Sequence, residues 1–91
     1  MIKTLHIFVE GRVQGVYYRA STKQKAIKLQ LKGWVKNLAD GRVEIMAQGE
    51  QKQLDELVNW CYQGSKYSLV TKVNTTFIDQ SESFSNFDVR Y

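Results

Sequence analysis

Apolar residues in this chain recur first with a period of two, then of about 3.6, then of two again, and the switch is made twice; few small folds accommodate that order. Leu5, Ile7 and Val9 alternate with His6, Phe8 and Glu10, the pattern of a strand with one face on a core. From about Tyr18 to Leu31 the spacing Tyr18, Thr22, Ala26, Leu29 follows one face of a helix, and Gly33 is the expected stop signal. Gly33-Trp34-Val35-Lys36 and Val43-Glu44-Ile45-Met46-Ala47 are rich in strand formers. They flank Asn37 to Arg42, whose Asp40-Gly41 pair suits a hairpin turn. After Gly49, Leu54, Leu57, Val58 and Cys61 fall on one helical face, and Gln63-Gly64-Ser65-Lys66 ends that helix. Val70 to Ile78 reads as a further strand, Asp79 to Ser85 as a turn, and Phe87, Val89 and Tyr91 as a final alternating strand.

The resulting βαββαβ order predicts an α+β fold: a ferredoxin-like sandwich in which two helices cover one face of a four- or five-stranded antiparallel sheet. A chain of 91 residues fits one domain, here residues 1–91, with no linker, repeat or low-complexity tract. This arrangement hosts enzymes, metal carriers, ligand sensors and RNA-binding domains, so function must be read from a site.

Composition narrows the classes. Hydrophobic residues at 43% and aromatic residues at 12% suit an ordinary globular domain, and no apolar run approaches the roughly 20 residues of a membrane span. The start MIKTLHIFVE alternates instead of reading as a signal peptide, so a cytoplasmic location is expected, with a monomer as the default. One cysteine, Cys61, and one histidine, His6, supply neither a disulfide framework nor a ligand cluster, so no metal or other cofactor is expected. The net charge of +4 is unevenly spread. Residues 1–43 carry nine Lys and Arg against Glu10 and Asp40, whereas residues 44–91 carry four against seven acids. Such a field favours an anionic partner of some kind: a phosphate compound, a nucleic acid or an acidic membrane.

Gly11-Arg12-Val13-Gln14-Gly15-Val16-Tyr17-Tyr18-Arg19 joins the first strand to the first helix, with Gly11 and Gly15 bracketing a short loop. Free N–H groups of a glycine-containing loop and of a helix N-terminus converge there, and the helix dipole adds positive potential. Arg19, in the first helical turn, opposes that dipole, so it has a task other than stability there: a planar fork for two phosphate or carboxylate oxygens. Taken singly, the glycines also suit a plain βα turn, Arg19 a solvated helix position, and Asn37 a turn-favouring residue.

Gly11 to Arg19, written GRVQGVYYR, resembles the first acylphosphatase signature: glycine, any residue, Val-Gln-Gly-Val, any residue, Phe or Tyr, Arg. Gly33-Trp34-Val35-Lys36-Asn37, three residues, Gly41, one residue, Val43, five residues and Gly49 resemble the second. The resemblance spans essentially the whole chain. One departure is visible: the family often has Gly-Pro after its second helix, whereas Gly64 is followed by Ser65 and the chain has no proline. That leaves the course of this loop open and is expected to leave the site alone.

The resemblance implies hydrolysis of acyl phosphates, the mixed anhydrides of a carboxylic acid and phosphate. It implies that loop N–H groups from Gln14 through Gly15, Val16, Tyr17 and Tyr18 to Arg19, with the Arg19 side chain, hold the phosphoryl group, and that Asn37 orients the attacking water. A small-molecule acyl phosphate is the implied partner, with neither nucleic acid nor membrane. A carboxylate leaving group is stable at neutral pH, so such a site needs no general acid. His6 on strand one is accordingly read as a surface or satisfied histidine, and Cys61 as a buried small hydrophobe. Lys23, Lys25, Lys28, Lys32 and Lys36 read as a solvated face that also steers anions. The alternative is an RNA- or ligand-binding module of the same topology. Its aromatic platform fails on inspection, because the alternate positions after Trp34 are Lys36 and Leu38.

Overall fold

In a computed structural model that describes residues 1–79 and 82–91, the chain runs β1 (Lys3–Arg12), α1 (Tyr18–Lys28), β2 (Lys32–Asn37), β3 (Val43–Gly49), α2 (Gln51–Gln63), β4 (Leu69–Ile78) and β5 (Phe87–Arg90). Residues 80 and 81 of the expected 79–85 turn lie outside the described residues. The strands form one sheet in the order β4-β1-β3-β2-β5. The ferredoxin-like expectation holds, with one difference at an edge: β5 runs parallel to β2, so the sheet is mixed. The path of the chain explains this. β4 ends, at Ile78, beside the beginning of β1, and the chain crosses the end of the sheet to the outer edge of β2. Gln48, near the end of β3, holds the crossing segment: its Nε2 donates to Glu82 O (3.0 Å) and its Oε1 accepts from Phe84 N–H (3.1 Å). β5 is therefore delivered at the end where β2 starts, and Gly33 N–H donates to Asn86 O there (2.9 Å).

Period-two patterning puts one row of side chains from each strand on the helix side of the sheet. Leu5, Ile7 and Val9 pair with Ala47, Ile45 and Val43, and Ile45 and Val43 pair in turn with Val35 and Asn37. Tyr18, Thr22 and Ala26 of α1 and Leu54, Leu57 and Cys61 of α2 close over these rows. Leu54 and Leu57 are fully buried, each worth about 1.5–3 kcal/mol of transfer free energy.

Two boundaries differ from the sequence reading. Gly11 and Arg12, read as loop, continue β1, because a register shift after Glu10 lets Gly11 pair with Val70 and Arg12 with Leu69. Helix α1 stops at Lys28 instead of Leu31. Leu31 N–H donates to Ala26 O (2.9 Å) and Gln30 N–H to Ile27 O (3.0 Å), a Schellman closure with Gln30 at φ 62°. Gly33, taken as the stop signal, instead lies inside β2 at φ 139°, where an added Cβ would sit 1.8 Å from Met46 O. Gly33→Ala is therefore expected to lower unfolding free energy by about 2 kcal/mol or more, read from the denaturant midpoint. A midpoint equal to that of the parent protein would contradict this close packing of β2 on β3.

Candidate active site

The loop between β1 and α1 is held from both sides. Gln14 Nε2 donates to Leu38 O (2.8 Å) and to Arg42 O (2.9 Å), tying the loop to the turn between β2 and β3. That turn is itself closed by Leu38 N–H to Arg42 O (2.8 Å). Arg42 N–H and Nε lie 3.1 and 2.9 Å from the carboxylate oxygens of Asp40 and hold its pKa below the usual range, the backbone N–H being the larger cause. On the other side Ser65 Oγ donates to Val16 O (2.7 Å). The loop after α2, expected to leave the site alone, thus braces it.

Gly15 takes φ 73°, and a Cβ added there meets no protein atom within 4 Å. Tyr17, the residue before α1, also takes the left-handed conformation, φ 62° and ψ 20°, rare for a bulky side chain. No side chain caps this helix and its first turn holds no acid. The first intrahelical donor is Ser21 N–H, to Tyr17 O (3.0 Å), so the N–H groups of the preceding turn have no partner within the helix. Tyr18 anchors that turn from below: its hydroxyl donates to Cys61 O (2.8 Å) and its ring lies 5.2 Å from that of Trp60. Burial drives the Tyr18 pKa upward, so it remains a neutral donor.

Val13, Gly15, Tyr17, Tyr18, Arg19, Ala20, Asn37, Val89 and Tyr91 line a cavity of about 360 Å³ over this helix start. Arg19 Nη1 donates to Arg90 O at 3.3 Å, a long bond, and its guanidinium lies 4.7 Å from the centroid of the Tyr91 ring. Asn37 reaches the same cavity from β2. Its Oδ1 is buried and accepts no hydrogen bond from the described residues. Buried polar atoms are paired in the large majority of cases, so an unpartnered acceptor on a residue that lines a cavity stands out.

The structure therefore brings together Gly15, Tyr17, Tyr18, Arg19 and Asn37. Val16 belongs to the same loop but does not line the cavity, and the Gln14 side chain points to the turn. The tethers through Gln14 and Ser65, and the wall formed by Val89 and Tyr91, were missed by sequence reasoning. The serine in place of a family proline was the one signal, and it bears only on the Ser65 tether. His6 lies on the opposite face of the sheet, its Nε2 2.6 Å from Glu44 Oε2. Cys61 is buried, and desolvation pushes its thiol up to about 12. Among the described residues no three His, Cys, Asp or Glu side chains cluster as metal ligands, and no helix is long and apolar enough to cross a membrane.

This geometry defines a class, a small α+β domain whose first helix starts beneath a cavity lined by an arginine and an asparagine. Comparison with known proteins makes the class specific. The sequence model of the acylphosphatase family matches residues 5–89. The chain is 50% identical to an acylphosphatase of Marinobacter nauticus over 86 residues, 94% of each chain. Its fold matches an acylphosphatase from Coxiella burnetii with a TM-score of 0.94 at 43% identity, over 98% of this chain and 93% of that one. It matches the acylphosphatase from Bacillus subtilis with a TM-score of 0.95 at 41% identity over the whole of both chains. The chain belongs to the acylphosphatase family, and that membership makes it a hydrolase of acyl phosphates.

Two expectations follow. Gln14→Leu should lower stability by about 1–3 kcal/mol through two carbonyls losing their donor, visible in the denaturation midpoint; an unchanged midpoint would mean the tether is idle. Burial pushes the Cys61 thiol up to about 12, above the ordinary cysteine range, so its protonated form is favoured by folding. Its contribution is complete below pH 9 and is lost as pH rises towards 12. Native protein at pH 8 should therefore resist iodoacetamide, with labelling following unfolding; prompt native labelling accompanied by loss of activity would overturn the structural assignment of Cys61.

Proposed function

We propose that the N–H groups from Gln14 to Arg19, together with the Arg19 guanidinium, hold the phosphoryl group of an acyl phosphate while Asn37 orients the attacking water. The observation that carries this reading is that Arg19 and Asn37, from separate elements, line one cavity over the start of α1, with Asn37 Oδ1 left without a partner. Oδ1 accepts from one O–H of the water, which directs an oxygen lone pair at phosphorus. The water oxygen forms a bond to phosphorus as the bond to the acyl oxygen breaks. The bonding pair leaves with the carboxylate, and the water proton passes to a phosphoryl oxygen of the substrate.

The residue set suits that reaction. A carboxylate, with a reference pKa of about 4, departs without protonation, so no general acid is required. A loose phosphoryl transition state asks for positioning and charge stabilisation, which a backbone cradle and a fixed guanidinium provide without reorganisation. Neither Cys61 as nucleophile nor His6 as base competes: Cys61 is buried, and His6 faces the other side of the sheet.

Hydrolysis of benzoyl phosphate, followed by loss of the anhydride, tests the assignment. Arg19→Ala should abolish measurable turnover, and Arg19→Lys should fail to restore it, because a point charge cannot reproduce a planar fork. Asn37→Ala should lower kcat on the order of 10²-fold, with a smaller change in KM. Full turnover in Asn37→Ala would remove Asn37 from the mechanism, and robust activity in Arg19→Lys would remove the fork.

A further inference from the structure

We infer that Ser65 is a positioning residue that locks the Val16–Tyr17 peptide in the orientation needed to bind phosphate; the inference rests on the reading of the loop as the phosphate cradle. Ser65 Oγ donates to Val16 O at 2.7 Å, and both residues are partly buried. In a trans peptide the carbonyl and the following N–H point in opposite directions. Holding Val16 O towards the end of α2 therefore turns the Tyr17 N–H the other way. Tyr17 and Gly15 line the cavity, and neither Val16 nor Ser65 does.

The alternative orientation is within reach. Rotating this peptide plane by half a turn carries Tyr17 from φ 62° into the negative region that a tyrosine prefers. It also turns the Val16 carbonyl towards the cavity, where its partial negative charge opposes an anion. The left-handed conformation disfavours a non-glycine residue by roughly a factor of ten, and a neutral hydrogen bond contributes about the same factor. The two effects are comparable in size, so the serine hydroxyl decides the balance. Without it the competent fraction falls, and apparent affinity for phosphate falls with it. Proline in the same place has no hydroxyl to donate, so this lock depends on the chain's departure from the Gly-Pro pattern.

The test is a double-mutant cycle read by calorimetric titration with inorganic phosphate. Ser65→Ala should weaken phosphate binding about 3- to 10-fold, and Ser65→Thr, which keeps the hydroxyl, should bind like the parent. Glycine has no penalty in the left-handed region. In a Tyr17→Gly background, Ser65→Ala should therefore change the dissociation constant by less than about twofold. A merely structural brace would weaken binding equally in both backgrounds, and that result, or unchanged binding in Ser65→Ala, would overturn the inference. Absence of hydrolysis by the parent protein would count against the activity assignment, while the phosphate titration would still judge Ser65.

Discussion

Gln14 Nε2 sits 2.8 Å from Leu38 O and 2.9 Å from Arg42 O, and the site depends on that amide fork. The loop that we read as a phosphate cradle connects β1 to α1, whereas Asn37 belongs to the end of β2, two strands away across β3. Register alone puts Asn37 in the row of Val43 and Val9. Beyond Val9 the chain still has the register shift and an irregular loop to cross before reaching α1. A direct tie from the loop to the carbonyls of the β2–β3 turn removes that slack. Positioning within about 0.5 Å is what a site with no covalent chemistry requires.

The arrangement also shows how an enzyme of this size manages strain. Tyr17 in the left-handed region is unfavourable by itself, yet it begins a helix with no capping side chain and no acid in its first turn. Those are the choices that leave N–H groups free for an anion. Stability is recovered below, where Tyr18 packs on Trp60 and reaches Cys61 O, and where Thr22 Oγ1 donates to Tyr18 O at 2.8 Å. Cys61 takes part as core volume and as a backbone acceptor, with its thiol kept protonated by burial.

Periodicity made the elements legible: Leu5, Ile7 and Val9 on one face, and Leu54, Leu57 and Cys61 on another, report the core directly because burial imposes those spacings. The two signatures single out Arg19 and Asn37, which the fold brings to one cavity. Features set by distant backbone groups were not legible. Gln14 is read for its backbone N–H, and nothing local to it tells that its side chain reaches carbonyls 24 and 28 positions away. The closure of α1 by a left-handed Gln30, two residues past Lys28, was hidden because glycine is the usual occupant of that position, and Gly33 drew the assignment instead. The parallel pairing of β5 follows from the path of the crossing segment past Gln48, which no local pattern encodes.

The central claim is that one anion site is assembled from the loop backbone, Arg19 and the amide of Asn37. Titration of ¹⁵N-labelled protein with inorganic phosphate tests it most directly. The account predicts saturable shifts of the backbone N–H signals of residues 14–19 and of the Asn37 side-chain amide, sharing one dissociation constant and collapsing together in Arg19→Ala. Shifts centred instead on the lysines of α1, or an Asn37 amide that stays silent while the loop saturates, would contradict it.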